Sequence, residues 1–425
     1  MYWPTGSARR LCVEPAGLPD VHNDAVHMAS TRDGMLWFVL TRTALLLWRA
    51  RPIEIVASVI RTQRSLHEYG ANVHAVWSPD ASGIAIQTER DTLLFYELSQ
   101  PASKPSMHAL FDPSAPELAP SSQALLATFQ PATGDAYHTC TNEPLSARIN
   151  FQLLFRDALQ VDPGIACIAC VDAHLFVSTK SPAAVQLVSW PSSSSSASTS
   201  AASASVSASS AASAPPILLA HLPWLQVPLS SSSSLALTPS PIVHAEHSYA
   251  TDLSAWISAD GSAYIVGRND TWVGACAYRA VDSAHKNVPT TTALNARFSL
   301  LALGFENGHI TLFEFQTATQ TPQFVHSLTL PHITGRVICL DWTADGHALA
   351  VGYEHGWAIW STFGHVMCHS FREDWTTATR TYRDSFQFGV QSVFWGLGGT
   401  ELFVLARPLS PDAHAQDDER TLAYV

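Results

Sequence analysis

One pattern recurs along the chain and limits its fold more than any other feature. An apolar run leads into a tight polar turn, a second apolar run, another turn, and a third run ending in aromatics. VHAVWSPDASGIAIQTERDTLLFYEL (73–98) and VICLDWTADGHALAVGYEHGWAIW (337–360) are the clearest copies. AWISADGSAYIVGRNDTWVGACAYR (255–279) and FSLLALGFENGHITLFEF (298–315) lie between them. The runs are strand-sized and rich in Val, Ile, Leu, Phe, Tyr and Trp. The turns carry Ser78-Pro79-Asp80, Ala259-Asp260-Gly261, Glu306-Asn307-Gly308, Ala344-Asp345-Gly346 and Glu354-His355-Gly356. Asn-Gly and Asp-Gly supply the positive φ that two-residue hairpin turns require. Repetition at this scale marks units that bury their faces against neighbours, so the pattern predicts an all-β propeller with little helix.

Seven repeat-like segments can be traced, over 21–60, 72–98, 165–190, 250–280, 296–330, 336–371 and from 390 to the chain end. They predict a single seven-bladed domain over 1–425. MLWFVLTRTALLLW (35–48) is interrupted by Thr41-Arg42-Thr43 into two strand-sized halves and reads as a hairpin, too short to span a bilayer. Two inserts break the pattern. Residues 100–143 are rich in Pro, Ser and Ala, and residues 191–216 are almost pure Ser and Ala. Neither has the bulky side chains that offset ordering entropy, so both are expected to be disordered. LLAHLPWLQVPL (218–229) is apolar enough to dock, most simply as the outer strand of the third blade. The chain ends at TLAYV, where a third strand of the seventh blade would begin, so that blade is expected to be incomplete. Tyr2, Trp3, Leu11 and Val13 are candidates for an N-terminal strand that closes the ring.

Charge and cysteines exclude several function classes. The formal charge is -12, with 35 acidic against 23 basic residues, which disfavours nucleic acid. Arg49, Arg51, Arg61 and Arg64 form the one local basic cluster, expected on exposed edges and loops. Cys167 and Cys170 form a CxxC inside IACIACV, an apolar strand-like run. Residues three apart in a strand face opposite sides, so the pair reads as small core residues and not as a zinc grip. The thin, odd cysteine set of 7 reads as reduced and cytosolic. MYWPTGSARRLC lacks the apolar centre of a signal peptide.

Catalytic constellations are weak. His244 and His247 in HAEH have a spacing that could ligate metal on a helix, but prolines and serines flank them and HExxH is absent. They read as solvated loop histidines. Gly304, Gly308, Gly352 and Gly356 sit between strands without a GxxxxGK[ST] frame, and with Gly396, Gly398 and Gly399 they read as turn and packing glycines. The serines of the Ser/Ala tract have no nucleophile-elbow frame. A propeller enzyme would need acids or histidines at matching strand starts around the channel. His74 and Asp341 are candidates, but the corresponding positions elsewhere read as mostly apolar or small. Trp48, Tyr96, Phe315 and Trp360 end third strands and read as blade core. Arg49, Glu97, Gln316 and Ser361 follow them, where a WD repeat has aspartate, so the repeats are degenerate. No catalytic, cofactor-binding or metal-binding residue is assigned, and the partner-binding residues cannot be read from the chain.

The order of segments carries a resemblance. MYWPTG, LLLWRARPIEIVASVIR, SLHEYGANVHAVWSPD, DALQVDPGIACIACVDAHLFVSTKSPAAVQLVSW, LSAWISADGSAYIVGR, NARFSLLALGFENGHITLFEF and GYEHGWAIWSTFG together closely resemble the amino-terminal part of fungal Ric-one proteins. The segments 295–315 and 352–364 are the most specific. The family is the large subunit of a two-subunit guanine-nucleotide exchange factor for a Rab-six-type Golgi GTPase. The resemblance implies a smaller arrestin-like partner, a cytoplasmic protein peripheral on Golgi membranes, and a role in retrograde endosome-to-Golgi transport. It also implies a longer protein with a second propeller and a helical carboxy-terminal region. The expected function is a scaffold that performs no bond chemistry. A coat or tether subunit without exchange activity is the alternative.

Overall fold

The computed structural model describes residues 9–11, 25–50, 54–99, 130–131, 137–140, 151–161, 164–171, 174–181, 183–191, 218–222, 240–267, 275–278, 288–315, 323–371, 388–396, 399, 401–408 and 422–424. The chain is an all-β propeller. Its strands group into antiparallel sheets, each a meander that starts from a strand on the inside. The first sheet runs Ala25–Ser30, Leu36–Thr41, Ala44–Arg49, Glu54–Arg61, and the second Asn72–Trp77, Gly83–Thr88, Thr92–Ser99, Gln152–Gln160. The third is Ile165–Val171, His174–Lys180, Ala183–Ser189, Leu218–Leu222, and the fourth Ile242–Ser248, Leu253–Ser258, Ala263–Gly267, Ala275–Tyr278. The fifth is Pro289–Asn295, Leu300–Phe305, Ile310–Glu314, Gln323–Leu328, and the sixth Val337–Trp342, Ala348–Tyr353, Gly356–Ser361, Val366–His369. The last sheet holds Phe388–Trp395, Leu402–Pro408 and Leu422–Tyr424, with Arg9–Leu11 as its outer strand.

These sheets close on themselves. Each first strand touches the first strand of the next sheet, and the last touches the first. The core divides the same way, into apolar clusters that each span one pair of neighbouring sheets. Phe38 and Leu47 of the first sheet pack with Trp77 and Ile84 of the second. Phe176 of the third packs with Trp256 of the fourth, and Leu312 of the fifth with Val351 and Tyr353 of the sixth. At the closing seam, Trp37 stacks on Trp48 at 5.0 Å and meets Phe403 of the last sheet at 5.1 Å. Burial on both faces explains why the strands read as near-continuous apolar runs.

Three devices recur, two between neighbouring sheets and one in the turns within them. Trp77, Trp342 and Trp395 each end a first strand. Their indole N–H groups donate to the main-chain oxygens of Ala29 (3.2 Å), Ala293 (3.3 Å) and Asp341 (3.1 Å), at equivalent positions of the preceding sheet. Turns of Ser/Thr-x-Asp form the second device: Thr31, Ser78 and Thr343 donate to Asp33, Asp80 and Asp345 at 2.6–2.7 Å, and Ser258 donates to Asp260. Close approach is the third. A Cβ on Gly352 would lie 2.5 Å from the Cys339 sulfur and 2.6 Å from Cγ1 of Val390, on the last sheet. Gly352→Ala is expected to cost about 1–3 kcal/mol by overpacking, read as a lowered denaturation midpoint.

Several expectations change here. The last sheet is not short of a strand: Arg9–Leu11 pairs with Leu422–Tyr424, which pairs with Leu402–Pro408. Leu11 lies in that strand, while Tyr2, Trp3 and Val13 lie outside the described residues. The fourth unit starts at Ile242 and not near 250, because HAEH is its inner strand. The insert 100–143 falls between the third and outer strands of the second sheet, and the insert 191–216 between the corresponding strands of the third. Both lie almost wholly outside the described residues. The exceptions in the first are Gln130–Pro131 and Tyr137–Cys140, which extend the first sheet beyond Glu54–Arg61. Leu218–Leu222 pairs with Ala183–Ser189 as the third sheet's outer strand, and Leu36–Thr41 forms the expected hairpin with Ala44–Arg49.

Arg61 is the other correction. It is 3% exposed and not on a surface edge. It precedes a short helix, Gln63–Tyr69, capped by Thr62. Its guanidinium donates to Ser65 Oγ (3.1 Å), Ser65 O (2.9 Å), Gly70 O (2.7 Å) and Asn72 Oδ1 (2.8 Å). Asn72 in turn donates to Thr41 O at 2.9 Å. The arginine thus ties the link between the first two sheets to the start of the second. Arg64 is exposed, and Arg51 lies outside the described residues.

Candidate functional site

Two regions concentrate chemistry: the channel ringed by the first strands, and one end of the fifth and sixth sheets.

The ring has a common register. Every first strand shifts its pairing once, after its first residue at Ala25/His27, Asn72/His74, Ile165/Cys167, Ile242/His244, Pro289/Thr291 and Val337/Cys339, and after its third at Val390/Ser392. A bulge of this kind re-aims the residues that follow it. The residues just after it form one layer: His27, His74, Cys167, His244, Thr291, Cys339 and Ser392. The positions matching His74 are mostly small, as expected, but two of them, His27 and His244, are further histidines. Two residues further on, Glu246 and Asp341 share a level with Ala29, Val76, Ala169, Ala293 and Phe394, so that layer is mostly apolar.

His27 and His74 have ring centroids 3.9 Å apart. His244 Nε2 lies 3.4 Å from Thr291 Oγ1 on the next sheet. The Nδ1 atoms of His27, His74 and His244 are buried without a hydrogen-bond partner. Burial lowers the basicity of all three, to about 4 for His74 and His244, with His244 acting on His74 and His74 on His27. HAEH is therefore a strand of the inner ring, not a solvated loop, and His247, three residues on, sits on the opposite side against Ser254 Oγ at 2.9 Å.

Glu246 Oε1 accepts from Leu294 N at 3.2 Å, and Asp341 Oδ2 from Trp395 N at 2.7 Å. Each carboxylate thus latches its strand to the next one. Burial pushes Glu246 up to about 8, against the pull of the Leu294 N–H, and Asp341 adds to the rise. Burial likewise pushes Asp341 up to about 7. Acids raised this way are held protonated in the fold, and stability falls as pH climbs from the unfolded range near 4.5 through about 8. Glu246→Gln is expected to raise the melting temperature relative to wild type at pH 8–9, with the gain fading below about pH 4.5, by calorimetry across pH. Burial pushes Cys167 and Cys339 to about 12, so both thiols are protonated near neutrality. Among the described residues, no group of three His, Cys, Asp or Glu is placed to hold a metal ion.

The second region is apolar and open. Phe298 lies in the turn after Asn295, Phe324 on the outer strand of the fifth sheet, and Phe363 and Val366 at the last turn of the sixth. They are 37%, 63%, 71% and 43% exposed. The turn carrying Phe363 reaches the fifth sheet, since a Cβ on Gly364 would lie 3.4 Å from His326 and Leu328. Arg297 lies 5.7 Å from the Phe298 ring, and the His347 ring meets it at 5.0 Å, tilted by 57°. The third-strand aromatics Trp48, Tyr96, Phe315 and Trp360 are buried at 2–6% exposure and present no surface. Gly308, at φ 78°, sits in the Asn-Gly turn as expected. No described helix is long and apolar enough to cross a membrane.

No protein-family model matches the chain. Among solved structures it superposes on the β-propeller domain of Myceliophteria thermophila Cps50 (Swd1), with a TM-score of 0.57, 9% identity, and coverage of 98% of this chain and 99% of that one. That likeness concerns the fold alone. The guanine nucleotide exchange factor subunit ric1 of Schizosaccharomyces pombe is 21% identical over 427 residues, covering 95% of this chain and 35% of the relative. The human guanine nucleotide exchange factor subunit RIC1 is 23% identical over 435 residues, covering 99% and 28%. The chain spans about a third of the length of these relatives. Across 95–99% of its residues, at 21–23% identity, it is similar to proteins named as Ric1 guanine nucleotide exchange factor subunits.

Proposed function

We propose that this chain is the partner-binding propeller of a guanine-nucleotide exchange factor complex. In this reading all the sheets are blades of one seven-bladed wheel over 1–425. The wheel acts with an arrestin-like second subunit on a Rab-six-type GTPase, peripherally on Golgi membranes, in retrograde endosome-to-Golgi transport. The observation that carries the reading is the similarity to named exchange-factor subunits along nearly the whole chain.

Exchange asks for no bond chemistry. A factor that binds the nucleotide-free GTPase more tightly than the loaded form must weaken nucleotide binding by the same ratio. Each tenfold of weakening needs about 1.4 kcal/mol of differential contact, which a surface can supply. The exposed aromatics at the fifth and sixth sheets, with Arg297 beside them, have the composition of a protein-binding centre. We assign that end to contact with another subunit of the complex.

The test is nucleotide-release kinetics with the intact protein, its second subunit and the GTPase. Release accelerated by the complex supports the reading. Stable assembly without acceleration favours a coat or tether scaffold instead, and failure of the intact protein to assemble removes both.

A further inference from the structure

We propose that the imidazoles of His27, His74 and His244 form an acid-responsive latch on the inner ring: uncharged, they let the first strands close around the channel, and protonated, they force those strands apart. The geometry carries the idea. The three residues occupy one register layer of a closed ring, immediately after its bulges. The His27 and His74 rings meet at 3.9 Å, tilted by 37°, a distance two imidazolium rings hold only against strong repulsion. Their Nδ1 atoms, with that of His244, are buried without partners, so no acceptor waits to stabilise an added proton there. Each residue keeps partial exposure, and on the inner ring the channel supplies the route for a proton.

The surroundings offer little compensation. His27 faces His74 and, from its own sheet, Phe38 at 5.8 Å. His74 pairs across its hairpin with Gln87, and His244 with Ile257 while reaching Thr291. The rest of the layer is Cys167, Cys339, Thr291 and Ser392, with both thiols protonated near neutrality. Glu246 and Asp341, one level on, are the carboxyl groups of this channel. Burial holds them protonated over much of the same range, and each is engaged by a main-chain N–H.

The direction of the pH effect follows. All three histidines have basicity lowered by burial, the first cause for each, and His74 and His244 fall from 6.5 to about 4. The unfolded chain therefore binds more protons between those values. The stability that the neutral ring contributes is present above about pH 6.5 and is lost as pH falls toward 4. Glu246 and Asp341 act in the opposite sense, losing stability as pH rises, so the histidine contribution is read as a difference between variants.

The experiment compares the intact chain with His27→Gln, His74→Gln and His244→Gln, singly and together, and with the exposed control His355→Gln. Melting temperature is followed from pH 7.5 to 5.0, with amide exchange of the first strands at both ends. The drop in melting temperature is expected to shrink by about half in the triple variant and to be unchanged in the control. Acid-enhanced exchange in the first strands is expected to be lost with it. If the triple variant does not fold, imidazole NMR titration of the wild-type chain decides: three resonances should stay neutral to below about pH 5. Equal pH dependence in wild type and variant, or every histidine titrating near 6.5, overturns the proposal.

Discussion

Trp37→Ala is expected to lower the unfolding free energy by about 3–5 kcal/mol, the largest effect of any single truncation in the core. Trp37 is fully buried at the seam between the first and last sheets. Its ring stacks on Trp48 and touches Phe394 and Phe403 at 5.8 and 5.1 Å. As at the other junctions, chain leads from the outer strand of one sheet to the first strand of the next, here from Arg9–Leu11 to Ala25–Ser30. The ring is closed without a covalent link inside the last sheet, where Arg9–Leu11 pairs with Leu422–Tyr424. Removing the indole leaves a cavity against the sheet that the two ends of the chain complete. Chemical denaturation checks the magnitude, and amide exchange of Arg9–Leu11 and Leu422–Tyr424 should rise before that of other sheets. A loss under about 1 kcal/mol would place the seam outside the core.

Arg61→Ala is the second large effect, at about 3–5 kcal/mol. The cost comes from the acceptors left behind. Gly70 O, Ser65 O and Asn72 Oδ1 each take a hydrogen bond from this guanidinium. Arg61→Lys keeps the charge but cannot reproduce the planar fork, so it recovers only part of the loss. Denaturation curves of the two variants test this. If lysine restores wild-type stability, charge and not geometry holds the link between the first and second sheets.

Much of the fold was legible because its logic is local. The hairpin 36–49 follows from two apolar runs broken by Thr41-Arg42-Thr43, and Gly308 follows from an Asn-Gly turn. Phasing was harder. Ser258-Ala259-Asp260-Gly261 resembles Ser78-Pro79-Asp80-Ala81 in sequence. It links second to third strands, whereas the Ser78 turn links first to second. The same turn chemistry serves both ends of a sheet, so it cannot fix which strand is innermost. HAEH was missed for a related reason: a strand lining a channel carries polar residues, and between prolines and serines it reads as loop. The polar layer emerges only when the bulge in each first strand aligns His74 with His27, Cys167 and His244. Arg61 was illegible because a buried cation is recognised by its acceptors, and these come from folding.

We propose that surface contacts, and not a reaction centre in the channel, carry the exchange role proposed for this chain. The direct measurement is nucleotide release from the GTPase by the assembled complex, comparing a rim variant, Phe324→Ser with Phe363→Ser, against a channel variant, Glu246→Gln with His74→Gln. The rim variant is expected to lose about tenfold or more in rate, the consequence of about 1.4 kcal/mol of lost contact, while the channel variant stays within about twofold of wild type near neutral pH. A channel variant that abolishes release beside an unaffected rim variant would contradict it.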